Sequence, residues 1–260
     1  MKTKLRLQKT GTILIIICSS VMTLFILNSC ETPTANAATS TIMVAGSGNS
    51  LNTDIDYEVV ILDDRTDSGI DIIKPDTSFY RKIANHFTEL GSVCIAAIVV
   101  GNPPIEARTF ARAYLREHIP IPVDAILSEE AKVKNQNRKI NLQNQKSIRE
   151  WLVKIDANII RYKPDGQNLT KIQEPLDKAY KLLKEPVFQK SQKIMVIISD
   201  MVNEPSIEGK VEPLNHKLYE FENLKLISVG VREPNIFSNV VGHHNLESIY
   251  GLEEYLLTLK

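Results

Sequence analysis

The sequence predicts an α/β protein: a doubly wound, mostly parallel sheet with helices on both faces. Short β-branched runs, such as Val59-Val60-Ile61-Leu62 and Ile194 to Ile198, are apolar at consecutive positions, as in strands buried on both faces. Segments of helical period alternate with these runs at short spacing. Two of the runs end abruptly in carboxylates, Asp63-Asp64 and Asp200. A carboxylate is costly inside a buried strand and belongs at its carboxyl end, the edge where open α/β sheets bind ligands.

The first residues do not fit that pattern. Lys2, Lys4, Arg6 and Lys9 precede an apolar stretch from Thr12 to Leu27, a secretory leader pattern somewhat short for a membrane span. The stretch closes on Leu27-Asn28-Ser29-Cys30, which resembles a bacterial lipoprotein box and makes Cys30 the lipidated first residue of the mature chain. Cleavage after Ala37, at Ala35-Asn36-Ala37, is the alternative, and an uncleaved anchor is a third. Residues 1–29 are therefore read as a signal peptide. Residues 30–54, rich in Thr, Ala, Ser, Gly and Asn, are read as a flexible tether. Residues 55–260 form the domain. The expected location is the bacterial cell envelope, outside the cytoplasm, with the membrane reached through the lipid.

The chain is 43% hydrophobic and 24% charged, with zero formal net charge. Nothing in that balance favours nucleic acid as a partner. Loss of the leader leaves 27 basic residues against 31 acidic ones. Cys18 departs with the leader and Cys30 is blocked by lipid, so Cys94 stands alone in an apolar run, a small buried hydrophobe.

In the domain, the apolar run Val59 to Leu62, within residues 57–68, is the first strand. Asp76 or Thr77 caps a helix whose one face carries Phe79, Ile83, Phe87 and Leu90, and Gly91 ends it. Val93 to Val100 is the second strand, and the βαβ unit makes the two parallel neighbours. Residues 105–116 carry both an alternating and a helical pattern and are assigned to an edge strand. His118 to Pro122 breaks regular structure. Residues 128–156, a helical insertion opening on Ser128, form one long solvated helix. It either binds a partner or covers a sheet edge, and the second is favoured. Ile172, Leu176, Ala179 and Leu183 mark the next helix, with Thr170 in a capping-box pattern. Lys193 to Ser199 and Leu224 to Gly230 are strands. Residues 213–222 are expected to form a short helix, and Asn245 to cap a final helix through Leu259.

The residues at the strand ends resemble a von Willebrand factor A-type domain over residues 55 to 259. That family ends its first strand in D-x-S/T-x-S, matched by Asp64-Arg65-Thr66-Asp67-Ser68. Its later loop, G-T-D/N-apolar, corresponds to Gly166-Gln167-Asn168-Leu169, and its S/T-D-G to Ser199-Asp200-Met201. Gln167 and Met201 depart from that pattern. The resemblance implies a Rossmann-like fold and a site for Mg²⁺ or Mn²⁺ built from Asp64, Thr66, Ser68, Asp200 and Gln167. A carboxylate of a protein partner would complete the ion's coordination. Hard oxygen ligands on a turning loop suit such an ion. Asp63 is expected to bond to nearby backbone, and His243-His244 to lie in a plain surface loop. Catalytic residues are not expected. A Mg²⁺-dependent phosphohydrolase would need D-x-D-x-T/V, which is missing, as are nucleotide and esterase motifs. The remaining alternative is a degenerate scaffold of the same fold that uses no metal.

Overall fold

The structure is a computed structural model that describes residues 55–66, 74–101, 111–162, 171–203 and 210–259. All lie within the compact unit Leu51–Lys260. The signal peptide, the tether and Cys30 lie outside the described residues, as do residues 105–110 and Thr170.

Six strands form one sheet: β1 (Tyr57–Asp64), β2 (Val93–Val100), β3 (Ala111–Leu115), β4 (Gln192–Ile198), β5 (Leu224–Val229) and β6 (His244–Leu246). Their order is β3-β2-β1-β4-β5-β6. Only β3, at one edge, runs antiparallel to its neighbour. This is the doubly wound, mostly parallel sheet expected from the buried runs.

Strand alternation divides the core between two faces. Val59, Ile61, Ile95 and Val196 meet Phe79, Ile83 and Phe87 of α1 (Thr77–Leu90), Trp151 and Ile155 of α2 (Leu127–Ile155), and Leu252 of α4 (Ile249–Thr258). Val60, Leu62, Ile98 and Ile197 meet Leu176, Ala179 and Leu183 of α3 (Gln173–Leu183), together with Leu218 and Phe237. Asp76 caps α1 by accepting from Phe79 N at 2.9 Å.

The long helix α2 begins at Leu127, where the Glu129 side chain reaches back to Ile126 N, so Ser128 is not its cap. Twenty-nine residues span about 44 Å, yet its buried residues all lie from Asn144 onward. That end covers the edge strand, and Trp151 Nε1 donates to Ala111 O at 3.1 Å. Further out, two asparagine amides grip an extended segment. Asn144 accepts from Arg116 N (3.0 Å) and donates to Arg116 O (2.8 Å). Asn137 does the same at Ile119, both at 2.8 Å. Three residues of extended chain and seven of helix each cover about 10 Å, so the two grips coincide.

Three further expectations about local structure fail. Residues 213–222 contain only a 3₁₀ turn, Leu218–Glu220. Their backbone is satisfied by tertiary partners instead: Gln173 bonds Asn215 N and O (2.9 and 2.7 Å). Asn245 does not cap the last helix. It belongs to β6, opposite Ser228, while Ser248 caps α4 by accepting from Gly251 N. The His243-His244 pair is not a plain loop either. His244 opens β6, and His243 Nε2 lies 2.8 Å from Ser228 Oγ.

At the amino-terminal end of the sheet a polar row crosses four strands: Tyr114, Cys94, Glu58 and Lys193, in register. Burial pushes the Glu58 carboxyl up to about 8 from 4.5, against the pull of Lys193 and Arg112. A carboxyl whose folded pKa is raised favours the fold while protonated. That contribution is intact below pH 4.5 and is lost as pH climbs towards 8. Glu58→Gln should therefore match the wild type at pH 4.5 and become the more stable protein at pH 8. In urea unfolding the gap should open by about 1 kcal/mol per pH unit. A gap that stays constant with pH would show that Glu58 ionises normally.

Candidate functional site

The strand order reverses between β1 and β4, and the crevice of a doubly wound sheet lies at the carboxyl ends of such a pair. Asp63 of β1 stands opposite Ile198 of β4, so the next residues on each strand, Asp64 and Ser199, face one another. Ser199 Oγ donates to Asp64 Oδ2 at 2.6 Å. The other oxygen, Oδ1, accepts from Thr66 N (2.9 Å) and Thr66 Oγ1 (2.6 Å). Asp64 is fully buried, and among the described residues no lysine or arginine forms an ion pair with it. Burial raises its pKa, opposed by the hydrogen bonds from Ser199 and Thr66 and by the charge of Lys74. Lys74 Nζ is itself buried without a hydrogen-bond partner.

Asp200 follows at the tip of β4. Its Oδ1 accepts from Val202 N at 3.1 Å. Its Oδ2 is buried and makes no hydrogen bond, with Arg232 Nη2 3.3 Å away. Met201 takes the left-handed conformation, φ 60°, at the position where S/T-D-G places glycine. That geometry costs a side-chain-bearing residue about 1–2 kcal/mol. Two features offset the cost: Met201 N donates to Ser199 Oγ at 2.9 Å, and the side chain is buried in the apolar cluster against α3. Met201 therefore keeps the turn although it departs from the glycine of that pattern. Gly101, φ 134°, closes β2 against the site, where a Cβ would meet Thr66 Cγ2 at 3.2 Å.

Asp63 differs from its neighbour because adjacent strand residues point to opposite faces. It does not bond to nearby backbone, as expected from sequence. It accepts from the side chains of Arg65 and Tyr80, and Arg65 also donates to Pro75 O at 2.6 Å. Burial raises the Asp63 pKa even with the Arg65 guanidinium beside it.

Of the predicted metal residues, the structure brings Asp64 and Thr66 into contact and joins Asp64 to the β4 tip, next to Asp200, through Ser199. Ser68 and Gln167 lie outside the described residues. Among the described residues no group of three His, Cys, Asp or Glu side chains is placed to hold a metal. The oxygens here are instead two carboxylates with hydroxyls. That donor set suits Mg²⁺ or Mn²⁺. A buried Asp64 that no lysine or arginine contacts among the described residues, and an Asp200 Oδ2 that accepts no hydrogen bond, are consistent with one. Sequence reasoning did not assign Ser199, which strand register reveals, nor Arg65, Tyr80, Lys74 and Arg232. Tyr80 sits on the buried face of α1, where an aromatic reads as core.

No family model and no curated protein matches the sequence. Solved structures do match. One is a von Willebrand factor type A protein from Catenulispora acidiphila, with 14% identity, 78% of this chain and 41% of that one covered, and a TM-score of 0.39. Another is the manganese-loaded TRAP protein of Plasmodium vivax, with 11% identity, coverage of 79% and 73%, and a TM-score of 0.38. A third is proximal thread matrix protein 1 of the mussel byssus, with 14% identity, coverage of 78% and 47%, and a TM-score of 0.35. The structural neighbours thus include von Willebrand factor A-type domains. The chain spans less than half the length of the Catenulispora and mussel proteins.

Removing one partner of a buried ion pair leaves the other uncompensated, at about 3–5 kcal/mol. Asp63→Ala should lose stability on that scale in urea unfolding. The double variant Asp63→Ala with Arg65→Met should recover most of it. A double variant no better than the single would mean that Arg65 is not the reason.

Proposed function

We propose that this chain is a binding module of the bacterial cell envelope, anchored outside the cytoplasm by lipid on Cys30, that recognises a protein partner at the β1–β4 crevice. The observation that carries this reading is Asp64: a buried strand-tip carboxylate, surrounded by hydroxyl and amide donors and joined to the tip of β4 by Ser199. Asp64, Thr66 and Asp200, with Ser68 and Gln167, would hold Mg²⁺ or Mn²⁺. Such an ion supplies a concentrated positive charge for an acidic group of the partner. Thr66 Oγ1 donates to Asp64 Oδ1, which keeps the hydroxyl oxygen beside the carboxylate. We read the chain as a binding protein rather than an enzyme. Asp63, the nucleophile a phosphohydrolase reading would use, is engaged by Arg65 and Tyr80.

Calorimetric titration of the full-length chain with MnCl₂ tests the site. The wild type should bind, and Asp64→Ala should bind at least about tenfold more weakly with its circular dichroism unchanged. A wild type that takes up neither Mn²⁺ nor Mg²⁺ would leave the metal-free scaffold. Processing at Cys30 should be blocked by globomycin, and Cys30→Ala should abolish it. Globomycin-insensitive release of a soluble product points instead to cleavage after Ala37.

A further inference from the structure

The helix α2 and the strap it grips form an arm with a surface unlike the rest of the domain. We propose that the tip of this arm docks on a lipid surface with anionic headgroups, at the end of the domain opposite the crevice. The docking adds a second, reversible membrane contact to the lipid anchor proposed above, and it does not depend on the metal site.

Strand register gives the direction. Leu115, the last residue of β3, stands opposite Val93, the first of β2, and Val93 stands opposite Tyr57, the first of β1. The strap therefore leaves the sheet at its amino-terminal end, where the chain also enters β1. Asn144 grips the strap one residue beyond β3. From Asn144 back to Leu127 the helix runs on for about 26 Å, past the end of the sheet. The crevice lies at the carboxyl ends of β1 and β4, so an arm resting on a membrane leaves it turned away from the lipid.

The tip is apolar in both side chain and main chain. Ile119, Ile121, Val123, Ile126 and Leu127 are all exposed, Val123 completely. An exposed aliphatic patch of this kind marks an interaction surface. Lipid leaves open amides unsatisfied, so a loop that enters it needs few of them. Pro120 and Pro122 have no N–H. Ile119 N and Ala125 N donate to Asn137 Oδ1 (2.8 Å) and Pro122 O (3.1 Å), and Ile126 N to Glu129 Oε2 (3.4 Å). A protein groove would have no use for so many amides closed off within the tip.

Charge selects the kind of lipid. Lys132 and Lys134 lie about 8 and 11 Å along the helix from Leu127, and Arg138 and Lys139 about 17 and 18 Å. All four are exposed. The acids beside them are engaged within the arm: Glu130 pairs with Lys134 at 2.5 Å, and Glu129 accepts from Ile126 N. Among the described residues Lys132, Arg138 and Lys139 pair with no carboxylate. Asp124 is the carboxylate left on the tip, and Glu117 stands further back on the strap. Aliphatic side chains that enter the boundary of headgroups and acyl chains by about 5–10 Å bring the cations behind them to the phosphates. The same cations repel the arm of a second copy.

Fluorescence quenching by brominated lipid tests the docking in the full-length chain. The one native tryptophan, Trp151, is buried. Val123→Trp therefore reports on the tip. Tyr250→Trp reports on the opposite end, since Tyr250 is exposed at the start of α4, just beyond the carboxyl end of β6. In vesicles of brominated phosphatidylcholine with phosphatidylglycerol, Val123→Trp should be quenched and Tyr250→Trp should not. The ratio of docked to undocked chain should fall about fivefold for each of Lys132, Arg138 and Lys139 changed to Gln, and rise in Asp124→Asn. Quenching reads where residue 123 stands, however the start of the chain is held, so failure of the Cys30 anchor and failure of the docking are distinguishable. An unquenched Val123→Trp, or equal quenching at position 250, overturns the docking. Quenching that is the same without phosphatidylglycerol, or in the triple Gln variant, overturns it too. A blue shift of Val123→Trp with protein concentration and no lipid assigns the tip to a second copy instead.

Discussion

The crevice depends on one hydrogen bond, from Ser199 Oγ to Asp64 Oδ2, across the pair of neighbouring strands at which the described sheet changes direction of growth. Everything polar at this end of the molecule is arranged about it. Seven of the eight residues of β1 are buried between α-helical layers on both sides, and its carboxyl groups stand only towards its ends, Glu58 at the start and Asp63-Asp64 at the tip. Parallel register then fixes what it meets. With Asp63 opposite Ile198, the residue beyond each must touch its counterpart. Ser199 holds Asp64 on one side and the Met201 amide on the other, so the turn after β4 and the end of β1 are set by the same hydroxyl.

The two adjacent carboxylates show how strand alternation divides labour. Asp63 faces the layer of α1 and α2 and is closed off by a guanidinium and a phenol that have no other role at the crevice. Tyr80 in turn stacks edge-on with Trp151 of α2, at a ring distance of 5.8 Å, so the ion pair is built into the aromatic core. Asp64 faces the other way and receives only neutral donors. One residue's displacement along the strand separates a structural charge from one left available.

The long strands and α1 were legible because their apolar periodicity is set by burial on one or both faces, which sequence records directly. The placement of Asp64 and Asp200 at strand tips was legible for a related reason: a carboxylate is costly in the middle of a buried strand and is better accommodated towards its ends. β6 was hidden because three residues, His244–Leu246, carry no period, and two of them are exposed; it exists only because β5 offers an open edge. The stretch near residue 215 has a helical apolar pattern, but its amides are claimed by Gln173, forty-two residues earlier. Contacts of that kind, like Tyr80 with Asp63 or Arg232 with Asp200, depend on where whole elements land. Composition and spacing do not encode them locally.

The asparagine grips on residues 116–119 have a consequence of their own. Asn137 and Asn144 recognise backbone rather than side chains, so the identities of Arg116 through Ile119 matter little to the attachment, while their count matters a great deal. Insertions between Pro120 and Ala125 leave both grips intact and only enlarge the bend. A single residue added between the two asparagines rotates one amide about 100° around the helix axis and detaches the strap. A change of length would thus be accommodated in the bend, with the helix itself acting as the ruler.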